Sequence, residues 1–154
     1  MNSQVLHQEK TLATCIHLSV FSKYFFPFGN FLFPLLLWLV KKQDPFVDSH
    51  GRNAINFQIS MFLYFILLVL SGLALLILMG VNLSTSAPLY IDSNHIHAKN
   101  VQDFIPLIIV AISIGTLILG LFLLEIYAVI SASLRASEGE LYKYPFCINF
   151  IKES

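Results

Sequence analysis

Charge is what this sequence has least of. Of its 154 residues, 9 are Lys or Arg and 9 are Asp or Glu, 12% in all, where soluble domains carry about 25%. A chain of this size can bury one ordinary core, but it lacks the polar surface to cover it. The formal net charge is zero, so no bulk basic character points to nucleic acid. Cysteine is nearly absent. Cys15 and Cys147 stand near opposite ends of the chain, too few for a disulfide framework, and no CxxC or Cys/His metal spacing accompanies them. They read as small apolar residues, with reversible acylation of Cys147 the alternative. Also missing are a nucleophile-base-orienter set, a phosphate-cradling glycine loop and HExxH. Neither an enzyme nor a bound cofactor or metal is expected.

What is abundant is hydrophobicity, at 56% of residues and a mean hydropathy of +0.75. The lipid bilayer is the solvent that such a chain requires. The longest polar interruption of its first half is KKQDPFVDSHGRNAINFQIS, from Lys41 to Ser60. Lys41 and Lys42 close the apolar run before it and Arg52 opens the run after it. Basic residues bunched between hydrophobic spans mark the cytoplasmic side.

The expected fold is an all-α membrane protein, a four-helix transmembrane bundle whose first hairpin is short and broken by Pro and Gly. The spans fall at about 11–28, 30–42, 53–81 and 104–135. A cytoplasmic loop at 43–52, an external loop at 82–103 and a cytoplasmic tail at 136–154 complete a single membrane domain. The break is Phe26-Pro27-Phe28-Gly29-Asn30, and Pro34 falls in the first turn of the second piece, where proline is tolerated. A single re-entrant element is the other arrangement; Lys23 and Asn30 would sit badly at mid-depth, which favours two crossings. Residues before Cys15 are polar, so no signal-peptide core precedes it and the first span stays uncleaved. With Lys10, Lys41, Lys42, Arg52, Arg135, Lys143 and Lys152 inside and only Lys23 and Lys99 outside, the positive-inside rule places both termini in the cytoplasm of a bacterial-type inner membrane. In the external loop, His95 and His97 lack a third metal ligand and read as solvated, and Asn82-Leu83-Ser84 matches a glycosylation acceptor.

Several polar residues stand out against this background. Glu125 lies about ten residues, roughly 15 Å, from Arg135 and hence near the bilayer centre. It shares a face with Ala128 and Ala132, part of a small-residue stripe that continues to Ala136 and admits a close helix neighbour. It reads either as a proton or cation site, with His17, Asn56 or Ser60 as partners, or as a protonated glutamic acid bonded between helices. His17 either relays protons or bonds a neighbouring helix. Arg52, Asn56, Ser60 and Ser71 form a polar stripe facing other helices, while Gln58 and Tyr64 look elsewhere. Asp44, Asp48, His50 and Arg52 cluster as a cytoplasmic loop suited to docking a partner, although Asp48 and Arg52, four apart, also suit a simple helix start. Gly139 ends the last helix, Tyr142 and Tyr144 suit the headgroup layer, and Phe146 to Lys152 is expected on the membrane surface.

Four stretches carry a family likeness: His17-Leu18-Ser19; Phe26-Pro27-Phe28-Gly29-Asn30; Asp44-Pro45-Phe46-Val47-Asp48 with Gly51, Ala54 and Asn56 to Ser60; and Gly139-Glu140-Leu141-Tyr142-Lys143-Tyr144-Pro145. In them the chain resembles small bacterial membrane proteins similar to the chloroplast Tic-twenty translocon component. The resemblance implies a four-helix membrane domain and a translocation-related role. The long loop 82–103 and the carboxylate at Glu125 depart from that pattern. The expected function is that of a small multi-pass membrane protein acting through partners or as a homo-oligomer. The alternative is a proton or ion channel or transporter module built on Glu125.

Overall fold

The computed structural model describes residues 3–86, 91–92, 95–96 and 105–152. Its elements run α1 (Ser3–Leu18), a 3-10 helix (Ser19–Tyr24), α2 (Gly29–Val40), α3 (Pro45–Ser86), a two-residue ladder of β1 (Ile91–Asp92) on β2 (His95–Ile96), and α4 (Ile105–Glu138). His97 and most of the 82–103 loop lie outside the described residues. The fold is helical, and α3 and α4 are the two helices long and apolar enough to cross a membrane among the described residues. The most apolar window of α3 is only 11% buried and that of α4 0%, whereas the core helix of a soluble protein would be mostly covered. At 12 residues, α2 reaches about 18 Å, well short of a hydrocarbon layer of about 30 Å. Of the four expected crossings, two, α3 and α4, have helices of that length among the described residues.

The chain divides into two compact units, residues 1–63 with 122–154, and residues 64–121. In the first, α1 packs along α2 and the 3-10 helix. The turn between them is held by Ser22, whose carbonyl accepts from the amides of Phe25 and Phe26. Phe28 then adopts a left-handed conformation, φ 61°, and α2 starts at Gly29. A Cβ at Gly29 would stand 2.8 Å from the Ser22 backbone, so the return of the chain needs glycine there. Because α2 begins at Gly29, Pro34 sits past the first turn. It lies inside the helix and is buried, a correction to the expected placement.

The helix α3 also starts earlier than its hydrophobicity suggests. Asp44 accepts hydrogen bonds from the Phe46 and Val47 amides at 2.9 and 3.0 Å through one carboxylate oxygen. Pro45 follows at the first helical position, where its missing N–H is no loss. The stretch expected as a loop to Arg52 is thus helical from Pro45 onward. Ile16, Trp38, Val47, Ala54 and Ile55 form a buried cluster, with Leu12, Leu37, Ile59 and Ile151 packed against it. The other end of this unit closes on a Schellman arrangement. Gly139, at φ +89°, donates to the Ala136 carbonyl and Glu140 to that of Arg135, while Lys10 Nζ donates to the Glu138 carbonyl at 3.0 Å.

In the second unit, Gly72 is where α3 and α4 meet closely: a Cβ there would stand 2.6 Å from Ile114 Cδ1. The hydroxyls of Ser71, Ser113 and Thr116 donate to carbonyls of their own helices. No polar group among these is left to face hydrocarbon unbonded.

Gly51 faces the Trp38 indole so closely that an added Cβ would lie 2.2 Å from Cγ. Overpacking of this kind costs about 1–3 kcal/mol. Gly51→Ala should lower the thermal unfolding midpoint in detergent, and Gly51→Ala with Trp38→Leu should recover most of the loss.

Candidate functional site

Most buried polar residues of the first unit bond to one another or to its backbone. Lys23, from the 3-10 helix, reaches Glu125 on α4, with Nζ 2.5 Å from Oε2. Glu125 is buried together with Ala128 and Ala132, and its second oxygen, Oε1, has no hydrogen-bond partner. A carboxylate in such surroundings is costly alone, and an ammonium beside it offsets part of that cost. None of His17, Asn56 or Ser60 is its partner. The lysine that appeared ill-placed at mid-depth is the group that compensates it. Asn30, also awkward by itself, donates from Nδ2 to Gln58 Oε1 at 2.9 Å.

His17 is fully buried and uses both ring nitrogens. Nε2 lies 2.8 Å from His50 Nδ1, and Nδ1 lies 2.8 Å from the Tyr144 hydroxyl. A neutral His17 ring donates through one nitrogen and accepts through the other, so the bond directions along this three-residue chain reverse together. Aromatic rings enclose it: Phe57 stacks on Tyr144 at 4.1 Å between centroids, and Phe46 meets His50 edge-on at 4.5 Å. Burial raises the Tyr144 hydroxyl well above its ordinary value of 10, which holds it neutral and available as a donor. Tyr144 is therefore an interior residue of this unit.

The polar stripe of α3 faces residues 142–151. Asn53 Nδ2 donates to the Tyr142 carbonyl at 3.1 Å. Asn56 donates from Nδ2 to the Ile151 carbonyl at 3.0 Å and accepts from the Ile151 amide at 2.9 Å. Ser60 Oγ accepts from the Ile148 amide at 2.8 Å while donating to the Asn56 carbonyl. A carboxamide satisfying both backbone groups of one residue mimics a strand partner. The segment expected on the membrane surface is bound along α3, with Phe146 and Phe150 left exposed.

Of the residues expected to form a docking loop, Asp44 caps α3. Asp48 accepts from Trp38 Nε1 at 2.9 Å and pairs with Arg52 at 3.2 Å, and His50 is interior. They share the start of α3 but do not project as one patch. Sequence reasoning named Lys23, Gln58 and Tyr144 without finding their partners, and passed over Trp38. A basic residue in one apolar run and an acidic one in another was the available signal for the first; the Tyr144 contact, 127 residues from His17, left none.

With this geometry in hand, a family profile decides the lineage. The MamF/MmsF family, described as the magnetosome magnetite crystal formation protein family, matches residues 8–151. The chain belongs to the MamF/MmsF family. This replaces the Tic-like resemblance and removes the ground for a translocation role. No curated protein and no solved structure matches the chain. As a MamF/MmsF family member with two long, uncovered apolar helices, it is a small membrane protein.

Lys23→Met should destabilise the protein in detergent, by less than the about 3–5 kcal/mol of a fully buried pair, because 24% of the Lys23 side chain is exposed. Adding Glu125→Gln should restore part of the loss, and strict additivity in the double-mutant cycle would dismiss the pair. Tyr144→Phe keeps the Phe57 stack but leaves His17 Nδ1 unbonded, at about 1–3 kcal/mol. The raised hydroxyl also predicts stability that is complete below pH about 10 and is lost above it, because the unfolded chain then releases a proton the folded one retains. The alkaline decline of the unfolding midpoint should be shallower in Tyr144→Phe.

Proposed function

We propose that this chain is a membrane-embedded scaffold that acts by association, with copies of itself or with other membrane proteins, and performs no catalysis. The observation that carries this reading is a division of labour. The polar side chains of residues 7–63 and 122–152 mostly bond within that unit, while Phe65, Leu67, Leu70, Ile109, Ile112 and Leu117 are left exposed on the long helices. Such a surface offers lipid and helix contacts and no reactive constellation. From the family's description we carry over a role in magnetite crystal formation at a membrane. If the source cell forms such crystals, deletion should alter their size or number in electron micrographs.

We read the pair α1 and α2 as a hairpin that enters the lipid and returns on the same side, with both termini in the cytoplasm. Three features support it: the 12-residue length of α2, the exposed Phe25, Phe26 and Phe28 at the turn, and the pairing of Lys23. The alternative, a proton or ion module, draws support from the unbonded Glu125 Oε1. Glu125→Gln with unchanged flux in proteoliposomes would remove it.

Cross-linking in native membranes and light scattering in nanodiscs should find complexes larger than one chain; a lone monomer in both would sink the scaffold reading. In a variant lacking Cys15 and Cys147, Phe28→Cys should resist membrane-impermeant maleimide from either side. Labelling from outside would instead indicate two full crossings.

A further inference from the structure

We infer that the cavity between the first turns of α3 and the 141–152 segment is a binding site for a phosphate-bearing anion, a lipid headgroup or a soluble phosphate ester. The cavity has a volume of about 500 Å³. Arg52, Lys143 and Lys152 line it, and no carboxylate does. Of the nine basic residues in the chain, three gather at one opening in a molecule of zero net charge. Arg52 is held in place by Asp48 at 3.2 Å, which fixes its guanidinium without filling the cavity. Neither Lys143 nor Lys152 forms an ion pair among the described residues, and both are exposed.

The uncharged lining fits the same class of ligand. Ser49, Asn53, Asn149 and Tyr142 add hydroxyl and amide groups, which hydrogen-bond to phosphate oxygens and glycerol hydroxyls. The walls do not depend on the ligand, because Asn53, Asn56 and Ser60 already bind the 142–151 backbone. Leu141 and Ile151 supply the apolar edge beside which an acyl chain would leave. Basic pockets next to membrane helices bind anionic headgroups, with each nearby cation contributing appreciably, and arginine in particular matches phosphate with two parallel donors.

The test is native mass spectrometry of the full chain released from detergent. The probes are phosphatidylglycerol, phosphatidylcholine, and inorganic phosphate with glycerol 3-phosphate. Retention of phosphatidylglycerol over phosphatidylcholine is expected, weakened roughly 5-fold by each of Lys143→Gln and Lys152→Gln. Lys41→Gln with Lys42→Gln, a pair that lies outside this cavity, should leave it unchanged. Retention of glycerol 3-phosphate or inorganic phosphate, lost in the same two variants, also supports the site and identifies a soluble ligand. No retention of any phosphate compound overturns the proposal. Equal weakening by the Lys41/Lys42 pair overturns it as well, because the attraction would then belong to the general surface charge.

Discussion

The carboxamide of Asn56, bonded to both the carbonyl and the amide of Ile151, is the contact on which the rest of the first unit depends. It anchors the segment after α4 along the opening turns of α3. That anchoring carries Tyr144 beneath His17 and sets Ile151 against the Trp38 cluster. It also forms one wall of the basic cavity. Each of those features joins residues far apart in sequence, and Ser60 and Asn53 tie the same segment at Ile148 and Tyr142. In a low-dielectric setting an amide pair of this kind is strong when complete and expensive when half made, which favours one register of the segment over its neighbours.

The same requirement explains why the polar residues occur in facing sets. Lipid supplies no hydrogen bonds, so each buried polar group needs a protein partner. Lys23 with Glu125, Asn30 with Gln58, and His17 with His50 and Tyr144 meet that need in turn. Ser22 Oγ, His50 Nε2, Gln58 Nε2 and Glu125 Oε1 are left over among the described residues. Hydroxyls on the uncovered helices solve the problem differently, by bonding back to their own backbone.

Much of the helical character was legible in the sequence, because long apolar runs declare themselves by composition alone. The start of α3 was readable in Asp44-Pro45, yet the run of charged residues that follows masked it, and Arg52 was taken as the helix beginning. The number of crossings was harder to read. Hydropathy finds α2 but does not measure the turn that begins it at Phe28 with a positive φ. Lys23 and Glu125 were each conspicuous, but pairing them requires the path of the chain between residues 102 apart. The Asn56 and Ser60 stripe was visible as a stripe; that its partner is an irregular segment rather than a helix follows only from tertiary structure. The family likeness was drawn from short motifs, and a profile spanning residues 8–151 corrected it.

Residues 142–151 follow both long helices in the order of synthesis, yet they bind the first turns of α3 from about 90 positions away. The interior around His17 therefore cannot close until the residues after α4 have been made. Closure is the last step in chain order, performed by a short, mostly non-helical strap. A chain stalled before Tyr144 would leave the ribosome with its helices placed and its buried histidines still reachable by water, a state that quality-control proteases can recognise.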